Sequence, residues 1–161
     1  MKKMLLHTAL VAALAALFVS PASAQQYFQA NLDGLQVVTP NASPAVGFGC
    51  FTLNPDSTLD YQVSYVGLLG VETSAHIHGP APAGVNAGVQ FAFALGTPKV
   101  GTFGPLTGAQ MSDLMSGLYY VQIHTNLFPG GEIRGQILAS GSPCTVATEE
   151  TTWGIVKKLY E

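Results

Sequence analysis

Past its first 24 residues, turn-forming residues cut most of this chain into segments too short for anything but strands. Asp33-Gly34, Asn54-Pro55-Asp56, Gly79-Pro80-Ala81-Pro82-Ala83-Gly84 and Pro129-Gly130-Gly131 are the clearest breaks. In Thr58 to Val66, Leu59, Tyr61, Val63 and Tyr65 fall on one face, and Thr58, Asp60, Gln62 and Ser64 on the other. Period-two alternation marks a strand with one dry and one wet face. Similar segments run over 27–32, 45–53, 72–78, 89–95, 100–103, 119–125 and 132–138. The spacing predicts an all-β fold: an antiparallel Greek-key or immunoglobulin-like sandwich or barrel of seven or eight strands. One short connecting helix interrupts it. Thr107 with Gln110 forms a capping box, Met111, Leu114 and Met115 share a helical face, and Gly117 is placed to end the helix.

The two ends read differently. Lys2 and Lys3, the apolar run Leu5 to Val19 and the small residues Ala22-Ser23-Ala24 have the pattern of a signal peptide cleaved after Ala24. The run is short for a membrane anchor, which needs about 20 apolar residues. The expected organisation is therefore a signal peptide over 1–24, a β domain over 25–140 and a linker with a C-terminal tail over 141–161. The tail carries Trp153, Ile155, Val156, Leu159 and Tyr160 behind Glu149 and Glu150. It either docks Trp153 on the β domain or serves as a recognition segment for a protein partner or surface anchor. Localisation follows as secreted, periplasmic or extracellular, with no transmembrane segment once the signal is removed.

Charge narrows the partners. Charged residues make up 9% of the chain, against roughly 25% in ordinary soluble domains. Without Lys2 and Lys3, four basic residues face nine acidic ones. That argues against nucleic acid, which needs clustered positive charge. Cys50 and Cys144 are the only two cysteines. In an oxidising compartment they pair, which is worth about 4.5 kcal/mol for so long a loop. The alternative is a buried thiol in a strand and an unrelated thiol near the tail.

Three histidines remain outside the signal segment: His76, His78 and His124. His76 and His78 stand two apart on a strand and so share a face, with Ile77 pointing to the core. In 119–124, the residues 119, 121 and 123 make the apolar face, which leaves His124 on the polar face with Tyr120 and Gln122. Two imidazoles from one strand and a third from another can hold copper or zinc. Three protein ligands leave an open coordination position. In 132–137, Ile133 and Ile137 face in while Glu132, Arg134 and Gln136 face out. Glu132 and Arg134 are expected either to pair with each other or to brace His124. No nucleophile elbow, Walker loop or dinucleotide-binding glycine motif is present, so a binding protein stands ahead of an enzyme.

Three segments carry a family resemblance. Ala75-His76-Ile77-His78-Gly79, Tyr120-Val121-Gln122-Ile123-His124-Thr125-Asn126 and Pro129-Gly130-Gly131-Glu132-Ile133-Arg134-Gly135-Gln136-Ile137 resemble the CHRD domain, named from chordin. The opening Phe28-x-Ala30-x-Leu32-x-Gly34 and Gly47-x-Gly49 resemble the family's start, so the likeness covers roughly 26–139. The resemblance implies an all-β extracellular domain whose own biochemical role is loosely defined. The His-x-His strand is also similar, more distantly, to copper–zinc superoxide dismutase. Residues 79–123 contain no histidine, so the second metal site of such an enzyme is missing and only a copper-only, dismutase-like site is left. Three readings stand together: a secreted domain binding copper or zinc, a metal-free structural or interaction module of the cell envelope or extracellular matrix, and a copper-only redox enzyme.

Overall fold

The structure, a computed structural model, describes residues 24–144. The signal peptide expected over 1–24, apart from Ala24, and the tail around Trp153 lie outside the described residues. Among the described residues there are nine strands and one α-helix. The strands are β1 (Gln26–Asp33), β2 (Val46–Leu53), β3 (Leu59–Val66), β4 (Glu72–His78), β5 (Val89–Ala92), β6 (Lys99–Phe103), β7 (Tyr120–Thr125), β8 (Ile133–Gln136) and β9 (Leu138–Ser140), with α1 (Gly108–Met115) between β6 and β7. Every pairing is antiparallel. The strand order is β5-β4-β7-β8-β1-β2-β3-β6, with β9 also paired to β1.

This sheet curls into a nearly closed barrel, so the expected all-β antiparallel fold takes its barrel form. The terminal strands β5 and β6 meet through side chains. Phe91 of β5 stacks on Phe103 of β6 with ring centroids 4.8 Å apart, and Phe93, just past β5, lies 5.4 Å from the same Phe103 ring. At one end of this seam, Lys99 of β6 pairs with Glu72 of β4, and the Tyr65 hydroxyl donates to the same carboxylate at 2.6 Å. The alternating residues fill the interior: Phe28, Ala30 and Leu32 from β1, Leu59 and Val63 from β3, Ala75 and Ile77 from β4, and Val121 and Ile123 from β7 are all buried.

Helix α1 begins at the expected capping box: Thr107 Oγ1 accepts from the Gln110 N–H, and Gln110 Oε1 from the Thr107 N–H. Leu114 enters the core and Met111 packs against it, but Met115 is half exposed and leaves the expected apolar face. Two strand boundaries also differ from expectation. The fifth strand stops at Ala92, because Lys99 draws the Ala94 and Gly96 carbonyls to its ammonium. The run 132–138 is broken at Ile137, whose N–H donates to Tyr119 while β9 continues against β1. Cys50 and Cys144 form a disulfide.

Candidate metal centre

The histidines stand on the outer face of β4 and β7. In the ladder, Ser74 lies opposite His124, His76 opposite Gln122, and His78 opposite Tyr120; across the next pair, Gln122 meets Arg134 and Tyr120 meets Gln136. Outward-facing residues of three adjacent strands thus form rows on one patch. This is the grouping expected from alternation, and the three imidazoles do come together. Their ring centroids are 5.3 Å (His76–His78), 5.3 Å (His76–His124) and 5.6 Å (His78–His124) apart. One nitrogen of each ring lies within 4.8 Å of the others.

Backbone carbonyls orient two of the rings. His78 Nδ1 lies 3.0 Å from the Ala87 carbonyl, and His124 Nδ1 lies 2.9 Å from the Pro129 carbonyl. A carbonyl only accepts, so each Nδ1 carries the hydrogen and each neutral ring presents its lone pair at Nε2. Those two Nε2 atoms approach to 3.4 Å. With metal–imidazole bonds near 2.0–2.1 Å, two nitrogens on one tetrahedral ion stand about 3.3–3.4 Å apart. His76 Nδ1 is buried and has no hydrogen-bond partner. Facing lone pairs and an orphaned ring nitrogen are the donor set a cation would satisfy, and the residues fit one imidazole-ligated ion.

Electrostatics favour the neutral form of two of the rings, His76 and His78. Burial lowers the pKa of His76, and the neighbouring His124 lowers it further. Burial also lowers that of His78; the Ala87 carbonyl opposes this, while His124, His76 and Arg134 reinforce it. A neutral imidazole is the form that binds metal.

Glu132 and Arg134 depart from expectation. Arg134 points outward from the sheet over Tyr120, whereas Glu132, just before β8, turns to Thr125 and the loops at Ser43 and Leu69; both are covered, their residues 0% and 1% exposed. They do not pair with each other. Glu132 accepts from the Ser43 hydroxyl, the Thr125 hydroxyl and the N–H groups of Leu69 and Gly70. Burial pushes its carboxyl up, but these four hydrogen bonds outweigh that and hold it below the usual carboxylate value. Its role is to tie two loops to the sheet rather than to brace His124. Arg134 Nη2 donates to the Val85 carbonyl at 3.0 Å, and its guanidinium lies over the Tyr120 ring at 3.5 Å. Tyr120 in turn stacks on His78, with centroids 5.2 Å apart and planes 8° from parallel. Arg134 therefore bears on His78 through Tyr120.

Sequence reasoning placed Tyr120 on the correct face but gave it no part, and it missed the Ala87 and Pro129 carbonyls entirely. Alternation could have pointed to Tyr120. No residue-type signal marks a backbone acceptor delivered by a loop.

Among the described residues no helix is long and apolar enough to cross a membrane. No curated protein and no solved structure matches the chain. The model of the CHRD domain family matches residues 28–137. That span takes in more than half the sequence, from the first buried side chain of β1 through the histidine strands to Ile137, and by it the chain belongs to the CHRD domain family.

Proposed function

We propose that this protein is a secreted binding module that holds one copper(II) ion, or zinc(II) in its place, on His76, His78 and His124. The observation carrying this reading is the convergence of three imidazole nitrogens within 4.8 Å, two of them presented at Nε2 by carbonyls bound to Nδ1. A CHRD domain is a binding-type domain, which agrees with a carrier. Copper(II) ranks above zinc(II) for a given nitrogen donor set. A three-imidazole set leaves a coordination position through which an ion can be received and passed on. The Cys50–Cys144 disulfide is compatible with an oxidising compartment.

The test is elemental analysis of the exported, oxidised protein beside a variant with all three histidines changed to alanine. The expected result is near-stoichiometric copper or zinc in the wild type and none in the folded variant. Metal retained by the variant, or none taken up by the wild type after incubation with both ions, overturns the reading. A superoxide turnover assay on copper-loaded protein separates a carrier from an enzyme.

A second reading, an interaction module of the envelope or matrix, is favoured by an exposed apolar group. Val46 and Val66 are cross-strand partners, and with Leu69 and Val71 each is more than half exposed. Under this reading the triple variant loses stability with no metal effect.

A further inference from the structure

Arg134 is almost fully buried, yet among the described residues no carboxylate pairs with it. Glu132 gives both oxygens to Ser43, Thr125 and two backbone N–H groups. Asp33, the ladder partner of Arg134 on β1, accepts from Leu35, Gln36 and the Gln36 side chain. Glu72 is neutralised by Lys99. Arg134 Nη2 donates to the Val85 carbonyl, and Nη1 has no hydrogen-bond partner. The carbonyl dipole and the Tyr120 ring attract the cation but leave its charge uncancelled. Buried charges in proteins are ordinarily paired.

That charge lies beside the candidate metal centre. Tyr120 joins the two: the guanidinium is 3.5 Å from its ring centroid, and the His78 ring is 5.2 Å from it. Taken end to end, these spacings put the guanidinium no more than about 9 Å from the His78 ring centre, and so within about 12 Å of an ion bonded to His78 Nε2. None of the three grouped ligands is a carboxylate, so no ligand charge offsets the repulsion. The repulsion scales with the charge of the ion and is twice as large for copper(II) as for copper(I). At an effective dielectric constant of about 20 and that distance, each unit of charge on the ion costs about tenfold in affinity.

We infer that Arg134 sets the oxidation-state selectivity of the three-histidine site, its unneutralised charge disfavouring copper(II) and zinc(II) relative to copper(I). The inference rests on the metal-binding reading of those histidines. Arg134 is not a ligand in it; the guanidinium acts through space, held in place by Tyr120 and the Val85 carbonyl.

The test uses the full mature protein, loaded with copper(I) under anaerobic conditions or with copper(II) in air. Each affinity is measured against competing chelators, and the midpoint potential by voltammetry, in the wild type, Arg134→Gln, Arg134→Lys and Gln136→Glu. Gln136 Oε1 lies 3.5 Å from Arg134 Nη2, so Gln136→Glu sets a carboxylate beside the guanidinium and keeps the arginine. In Arg134→Gln, copper(I) is expected to bind about tenfold more tightly and copper(II) about a hundredfold. That tenfold change in their ratio lowers the one-electron potential by about 59 mV. Gln136→Glu is expected to move both affinities and the potential in the same direction, and Arg134→Lys, which retains the charge, to hold the wild-type potential. A merely structural role would instead weaken both ions alike and leave the potential in place. Should Arg134→Gln fail to fold, Gln136→Glu decides alone. An unchanged potential, or weaker binding of both ions, overturns this inference while leaving the three-histidine reading standing. If the wild type takes up neither copper ion, that reading fails and this one with it.

Discussion

A buried carboxylate with four donors is the most exacting residue of this molecule. Glu132 joins the loop around Ser43, the Leu69–Gly70 turn and β7 through Thr125. Glu132→Gln keeps the shape but sets an amide NH₂ against N–H donors, so an unsatisfied buried group results. We expect a loss of about 3 kcal/mol in urea unfolding at neutral pH. The pH dependence has a definite sign. The carboxyl of Glu132 is held below its ordinary value of 4.5 in the folded state, and so is that of Glu72. A depressed carboxyl contributes stability above the unfolded value, and that stability is lost as pH falls through the folded one. Stability should therefore begin to decline below about pH 6.5, where the unfolded chain protonates His76 and His78 before the folded one does, and decline further below about pH 4.5, with a shallower acid limb in Glu132→Gln. An equal acid slope in wild type and variant would contradict this.

At the scale of elements, two positions decide whether β4 meets its neighbours. Gly79 follows His78 directly and adopts φ +152, and a Cβ there would collide with the Tyr119 ring and stand 2.8 Å from the Leu118 carbonyl. Gly79→Ala should cost more than about 2 kcal/mol. It should also reduce metal uptake by displacing the end of β4, readable as a lower metal content in the fraction that stays folded. Lys99 and Glu72 close the barrel seam as a buried pair, with side chains 1% and 7% exposed. Lys99→Met leaves Glu72 without its cation; a loss of about 3–5 kcal/mol is expected by denaturant titration. A loss under about 1 kcal/mol would put the seam's strength in the stacked Phe91, Phe93 and Phe103 rings instead.

For the whole molecule, the disulfide and the histidines occupy different regions of one sheet. Cys50 is on β2, and β8 and β1 lie between β2 and the histidine strands β4 and β7. The Cys50–Cys144 bond spans 94 residues, so reduction should lower unfolding free energy by up to about 4.5 kcal/mol in the chain-entropy picture. Metal content below the unfolding transition should stay unchanged. If reduction strips metal from protein that remains folded, the two regions are coupled and the separation described here is wrong.

Sequence alone determined what local pattern can carry. Period-two alternation places Ile77 inside with His76 and His78 outside, and Val121 and Ile123 inside with His124 outside, because successive side chains on a strand point to opposite faces. The Thr107–Gln110 capping box is equally local, spanning a single turn. Only the tertiary structure decided the rest. Alternation says that Arg134 points outward, but not that the distant loop at Val85 would fold over it, nor that Glu132 would turn to Thr125 and the loops at Ser43 and Leu69. Likewise it says that three imidazoles share a side, but not that the carbonyls of Ala87 and Pro129 would leave two of them presenting Nε2. Burial and tautomer depend on contacts between segments distant in sequence, and those contacts exist only once the barrel has closed.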